Sequence, residues 1–524
     1  MSRMRLLFWL LTLPVVLKAQ LTQPYRFELV QKAADFDFTV ISLDKEGLAL
    51  FRETDIYKDG KHSWQLIVLD TTLTQVVDTL ITVERNFNII GYEYVPGKVE
   101  LLFREGEFAN SKMLLSSLNL RSREIRNIEI KTELDIKLTH FSSIGENVLL
   151  GGYISNEPAI LMYESVKSNV IVLPGFFQRN TDLMDLRVNQ NNTFNVVMVE
   201  KTSSESKRIL FRTFDAQGKI LLEDNVAIDE KRNIQSAISS SLYREDLLLM
   251  GTWGSRNANR SYGFYSFMIN PFEEQKPAFK AFGELSHYLD YLKPKRAQKI
   301  KNKTKEAIAN DKFYDYTNNV IPYKIIEFEN GFIVLAETYS PVSFSTTNTY
   351  NSPNSPYWNS PYYYNNPYYY SYPTSRLYRP RTFGENVANE EEIKTYSSAL
   401  LWFNTNGELA NDYSMKIEDV KIRSVEQVTD AGYYNGEAII VYRKDSKLFY
   451  KKMNAANEEV VEGNEPIKLN DSLDELREEE DSDGGIRQWF GNSFYTWGYQ
   501  TIRNINVKGD KTREVFYVNK IMVR

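Results

Sequence analysis

From residue 38 onward the chain is a succession of short apolar or alternating runs cut by polar turn residues. "FTVISL" (38–43), "LALFRET" (48–54), "WQLIVLD" (64–70) and "VVDTLITV" (76–83) form a first group of four. "FNIIGYEYV", "VELLFRE", "MLLSSLNL" and "IRNIEI" form a second, and the same succession continues to residue 275. The runs are roughly five to nine residues long, the usual span of a strand. No 3.6-residue periodicity runs through them, so the pattern predicts an all-β protein. High Tyr and Phe content, 34 and 29 residues, suits it, because aromatic side chains pack well on pleated sheets.

The groups recur. The third run of each ends on a polar residue: Asp70, Asn119, Glu164, Asp215, Asn270, then Asn404 and Asn454. Such side chains bond the backbone that follows and start a tight turn. The interval is about fifty residues, the signature of a repeat built from one sheet per unit. Only the step from Asn270 to Asn404 is long, and insertions at 276–320 and 340–395 account for the excess. Second strands are expected to start near 48, 98, 147, 194, 246, 331, 436 and 494, which makes eight units.

The eighth unit runs out after three strands, while "YRFELVQK" (25–32) has no unit of its own. The expectation is therefore a single β-propeller over 20–524, with eight four-stranded blades and the N-terminal strand completing the last one from outside. A seven-bladed ring and a pair of smaller β domains are the alternatives. In architecture the chain resembles kelch-like and WD-repeat propellers. It lacks their specific marks: no WD dipeptide closes a unit, the double glycine of kelch repeats does not recur from unit to unit, and no Asp-box appears.

Residues 1–19 read as a secretory signal. Arg3 and Arg5 precede an apolar run from Leu6 to Leu17, and Ala19 offers a small residue for cleavage. The "KAQ" ending resembles export signals of Bacteroidota. The apolar run falls short of the ~20 residues that a spanning helix needs, and no other stretch reaches it. With no cysteine, an exported chain has neither disulfides nor a lipid anchor on cysteine. The chain ends within its last strand, so the expected address is the periplasm or the outer-membrane periphery. A net charge of −6 argues against a nucleic-acid partner.

Both insertions have unusual compositions. In the first, seven bases and no acid lie between Lys293 and Lys305. Pro294 can open a helix there, with Ala297, Ile300, Ala307 and Ile308 as its apolar stripe. A solvated helix packed on the rim explains this run; so does a docking helix for an acidic partner or lipid headgroups, presenting Lys295, Arg296 and Lys299. The second contains "YNSPNSPYWNSPYYYNNPYYYSYPTSRLY" (350–378). Its repeated prolines deny it regular hydrogen bonding. Tyrosine beside serine and asparagine is the composition of adaptable binding loops. Tyr357, Trp358, Tyr362, Tyr363, Tyr364, Tyr368, Tyr369, Tyr370, Tyr372 and Tyr378 are the candidate contact residues of this hairpin insertion, set against a low-complexity spacer. A third unusual stretch, 457–485, is expected to be an acidic surface loop.

Chemistry is hard to find. The three histidines, His62, His140 and His287, stand far apart, and there is no HExxH, GxSxG or phosphate-cradling glycine loop. No cofactor or metal is called for, and an enzymatic role is not expected. Paired carboxylates for glycoside cleavage are set in space and leave no linear mark. The expected function is a non-enzymatic envelope interaction platform, a subunit of an assembly, transport or secretion complex. The alternative is a glycan-binding or glycan-cleaving propeller that uses paired carboxylates and aromatic stacking.

Overall fold

The computed structural model describes residues 21–32, 35–106, 112–201, 207–241, 247–255, 260–270, 274–341, 393–422, 426–454, 459–479, 484–504 and 512–524. The Tyr/Pro-rich candidates lie outside these residues, as does the predicted signal.

Eight antiparallel sheets follow one another along the chain, each a blade of a propeller. The second strands begin at Leu48, Lys98, Asn147, Thr193, Leu247, Gly331, Glu437 and Ser493. First strands of neighbouring blades touch from blade two to blade five and from blade six to blade eight, which sets them around the axis. Burial explains the sequence pattern. Middle strands are covered on both faces by neighbouring blades, so Leu48–Phe51 and Val148–Tyr153 are buried without interruption. The outer strand Gln75–Glu84 alternates instead, because only one face meets the ring.

The recurring polar residue does what its chemistry predicts. Asp70 Oδ1 accepts from the amides of Thr72 and Thr74 at 2.8 and 3.0 Å. Asp215 Oδ1 does the same with Gln217 and Lys219, both at 2.9 Å, and Asn404 with Asn406 and Glu408 at 2.9 and 3.0 Å. Each turns the third strand into the fourth.

The eighth blade closes the ring with residues from both ends of the chain. Strand Leu21–Val30 lies outermost, antiparallel to Thr512–Val523, with Leu21 opposite Val523 and Val30 opposite Val515. Arg26 fixes it: its guanidinium donates to Glu28, Gln500 and Asn519 and lies 4.3 Å from the Tyr517 ring centre.

Two expected boundaries change. The stretch 457–485 is strand over Glu459–Pro466 and again over Asp474–Glu479. It was expected as loop because it is acidic, but its acids are accommodated. Glu462 points outward from an outer strand, while the buried Asp474 and Glu479 pair with Arg513 and Arg443 at 2.7 and 2.8 Å. In the first insertion, Ala278–Ala281 still belongs to blade five and Asn319 opens blade six.

Candidate docking face

Strand direction alternates within each blade. The hairpin from second to third strand and the link from outer strand to the next blade therefore emerge at one end of the ring. Segment 282–318 is such a link, between blades five and six, and segment 342–392 is the second-to-third connection of blade six. Both leave the same face at neighbouring places. The strands flanking 342–392 stay paired to their ends, with Pro341 opposite Ile393.

The first insertion is pinned to the ring. Its helix, α1 (Pro294–Ala309), buries Ala297, Ile300 and Thr304. Before it, Asp412 of blade six accepts from the amides of Ser286 and His287 at 2.7 Å each. Burial raises the Asp412 pKa above the usual carboxylate range, while these amides pull it back. Tyr288 is buried, stacks on Phe282 at 4.7 Å, and shares a 2.9 Å bond with Thr338 Oγ1. After the helix, Phe313 joins Trp253 and Phe279 around the Arg232 guanidinium, which lies 4.4 to 5.5 Å from their ring centres. The result is a helix on a rigid seat, not a tethered arm. Lys295, Arg296 and Lys299 all sit on its exposed side.

The axis was the place to look for catalytic carboxylates. Three buried carboxylates on first and second strands join neighbouring blades. Asp185 Oδ2 accepts from the Ser239 amide and hydroxyl at 2.9 and 2.7 Å. Asp430 accepts from the Gln488 amide at 2.8 Å and from Lys324 at 3.2 Å. Glu337 takes the amides of Val428 and Thr429 at 3.1 and 2.6 Å and the Thr429 hydroxyl at 2.7 Å. Burial pushes the Glu337 pKa up to about 7 against those bonds.

A positional rule, not apparent in the residue types, underlies some of these links. The seventh residue of the second strand reaches the following blade in four cases. Tyr153 accepts from the Leu183 amide at 2.9 Å, and Tyr499 from the Phe38 amide at 2.6 Å. Glu337 is the third, and Arg443, donating to the Trp497 carbonyl at 2.7 Å, is the fourth. Tyrosine, glutamate and arginine share no motif, so only alignment of the units on their second strands reveals the position.

The histidines do not converge. His62 accepts from Trp64 Nε1 at 3.2 Å in blade one, and His287 bonds Asp290 at 2.8 Å in the insertion. His140 is fully buried in blade three, and burial lowers its pKa to about 4. Among the described residues no three His, Asp or Glu side chains gather as a metal site.

No protein-family model matches the chain, and no curated protein matches it in sequence. Among solved structures it is similar to the polysaccharide lyase Uly1, at 9% identity and TM-score 0.37, over 96% of this chain and 100% of that one. It is similar to a prolyl endopeptidase at 8% identity and TM-score 0.35, over 91% of this chain but only 55% of that one. It is also similar to the β-propeller domain of the Trilobed protease from Pyrococcus furiosus, at 9% identity and TM-score 0.33, over 83% and 95% of the two chains. At this level of similarity no site residue passes from them to this chain. What the chain shares with propellers is the architecture described above.

Proposed function

We propose that this protein is a non-enzymatic interaction platform of a bacterial envelope, exported by its leader to the periplasm or outer-membrane periphery and serving an assembly, transport or secretion complex. One observation carries the reading: the basic helix and the tyrosine-rich insertion leave the same face of the ring, at blades five and six. Two elements of unusual composition therefore occupy neighbouring connections of one face. The platform reading is also supported by Asp185, Glu337 and Asp430, buried carboxylates that already serve backbone amides between blades. A glycan-cleaving site would need two of them free.

The test is affinity capture from envelope membranes by the full chain and by a variant lacking 345–392. The platform reading expects partner proteins with the full chain and their loss with the variant, while thermal unfolding stays unchanged. Capture of the same proteins by both would remove the tyrosine-rich segment from the function.

A further inference from the structure

The charges of α1 oppose the helix that carries them. Backbone amides make a helix N-terminus positive, so acids belong in the first turn and bases in the last. α1 has the reverse: Lys295 and Arg296 with no acid in its first turn, no base in its last. Lys293 at its N-cap supplies no capping bond, where Ser or Asp would. Lys295, Lys299 and Lys303 follow at four-residue steps, so like charges repel along one line about 6 Å apart. The side chains of Lys293, Lys295, Arg296, Lys299 and Lys305 are exposed and meet no acid among the described residues. Within the line only Lys303 meets the fold, its Nζ 5.5 Å from the Tyr314 ring centre; from Lys295 and Lys299 folding gains nothing. Local choices that disagree with the fold point to a requirement outside it.

The opposite side of α1 says what kind of partner this is. A helix that lies on a bilayer sinks a free apolar face into it. The apolar side of α1 is spent on the ring, through Ala297 and Ile300, and only Ile308 remains half exposed. What is offered outward is a line of cations, with Gln298 and Asn302 bonded to each other between them. Carboxylates four residues apart on an opposing helix have the same spacing. We propose that the outward face of α1 docks an acidic helical segment of a partner protein through Lys295, Lys299 and Lys303, flanked by Arg296. The proposal names a partner chemistry for part of the platform and rests on that reading for its place in function.

The probe is a labelled alanine-based helical peptide with glutamate at every fourth position, beside a matched glutamine peptide and vesicles containing phosphatidylglycerol. The full chain should bind the glutamate peptide, more weakly as salt rises, and ignore the glutamine one. The double variant Lys295→Glu, Lys299→Glu should lose at least about tenfold in affinity. It should unfold no earlier than the parent, since the change relieves repulsion and the N-terminal mismatch. Equal binding by the variant, binding of the glutamine peptide, capture of vesicles but not peptide, or earlier unfolding of the variant would each overturn the proposal. Envelope capture that survives this variant but not removal of 345–392 would overturn it too and leave the platform standing.

Discussion

Glu337 has the burial of a core leucine and the bonding of a carboxylate. Its ordinary pKa is near 4.5 and the fold raises it to about 7. Between those values the folded protein keeps a proton that the unfolded chain gives up, so this residue's contribution falls as pH rises through that window. His140 acts in the opposite direction. Its pKa drops from 6.5 to about 4, so its contribution is lost as pH falls through that range. Comparison with Glu337→Gln isolates the first effect. Denaturant unfolding from pH 4.5 to 7.5 should show the parent losing stability relative to the variant, by roughly 1–3 kcal/mol; parallel curves would contradict the assignment. Arg443 makes a second residue-scale prediction. It and Glu479 are 3% and 2% exposed as a pair at 2.8 Å. Arg443→Ala takes the cation from a buried carboxylate and leaves it the neutral donors Ser446, Gln500 and Tyr517; it should cost about 3–5 kcal/mol in the same measurement. Replacing the exposed Arg179, 90% exposed beside Glu157, should change little.

Single strands and turns were the most legible elements, for a physical reason. A strand between two blades is apolar throughout, an outer strand alternates, and a carboxylate or amide begins the turn between them, so each leaves a local mark. The acidic strand Asp474–Glu479 was hidden because its partners, Arg443 and Arg513, come from elsewhere in the chain. The same holds for Glu337, Asp185 and the seventh-position residues: their meaning lies in what the next blade presents. The basic face of α1 was readable as composition. Its seat on Asp412 and Tyr288 was not, since those bonds cross to blade six. The closing strand tests element-scale reasoning. A chain without 21–30 exposes the edge of Thr512–Val523, an apolar strand with unpaired backbone groups. Light scattering should report aggregation and calorimetry an earlier transition. A peptide of residues 20–32 added in trans should restore both. An unchanged transition would mean the ring does not need its latch.

For the ring as a whole, stability is shared by its junctions, because each blade is covered only by its neighbours. Side-chain bonds cross all of them. Glu46 accepts from the Gly97 amide, Ser143 donates to Glu100, and Ser241 donates to Glu327. Tyr153, Asp185, Glu337, Asp430 and Tyr499 serve the rest. Each of these bonds joins described residues outside 342–392. With the flanking strands paired to their ends and every junction bonded elsewhere, removing 345–392 should move the unfolding midpoint by less than about 2 °C in calorimetry. A larger fall would place those tyrosines in the core.

The latch also has a consequence for biosynthesis. Residues 21–30 are made well before residues 512–523, so this strand waits unpaired while all eight second strands are synthesised. Its own sequence suits the wait: Gln23, Arg26 and Glu28 interrupt the apolar residues, and Pro24 removes one donor from the edge. A nascent chain that held a sticky ribbon unpaired for so long would invite intermolecular pairing. This one keeps a hydrophilic ribbon that becomes adhesive only when its late-arriving counterpart supplies Gln500, Tyr517 and Asn519 to Arg26.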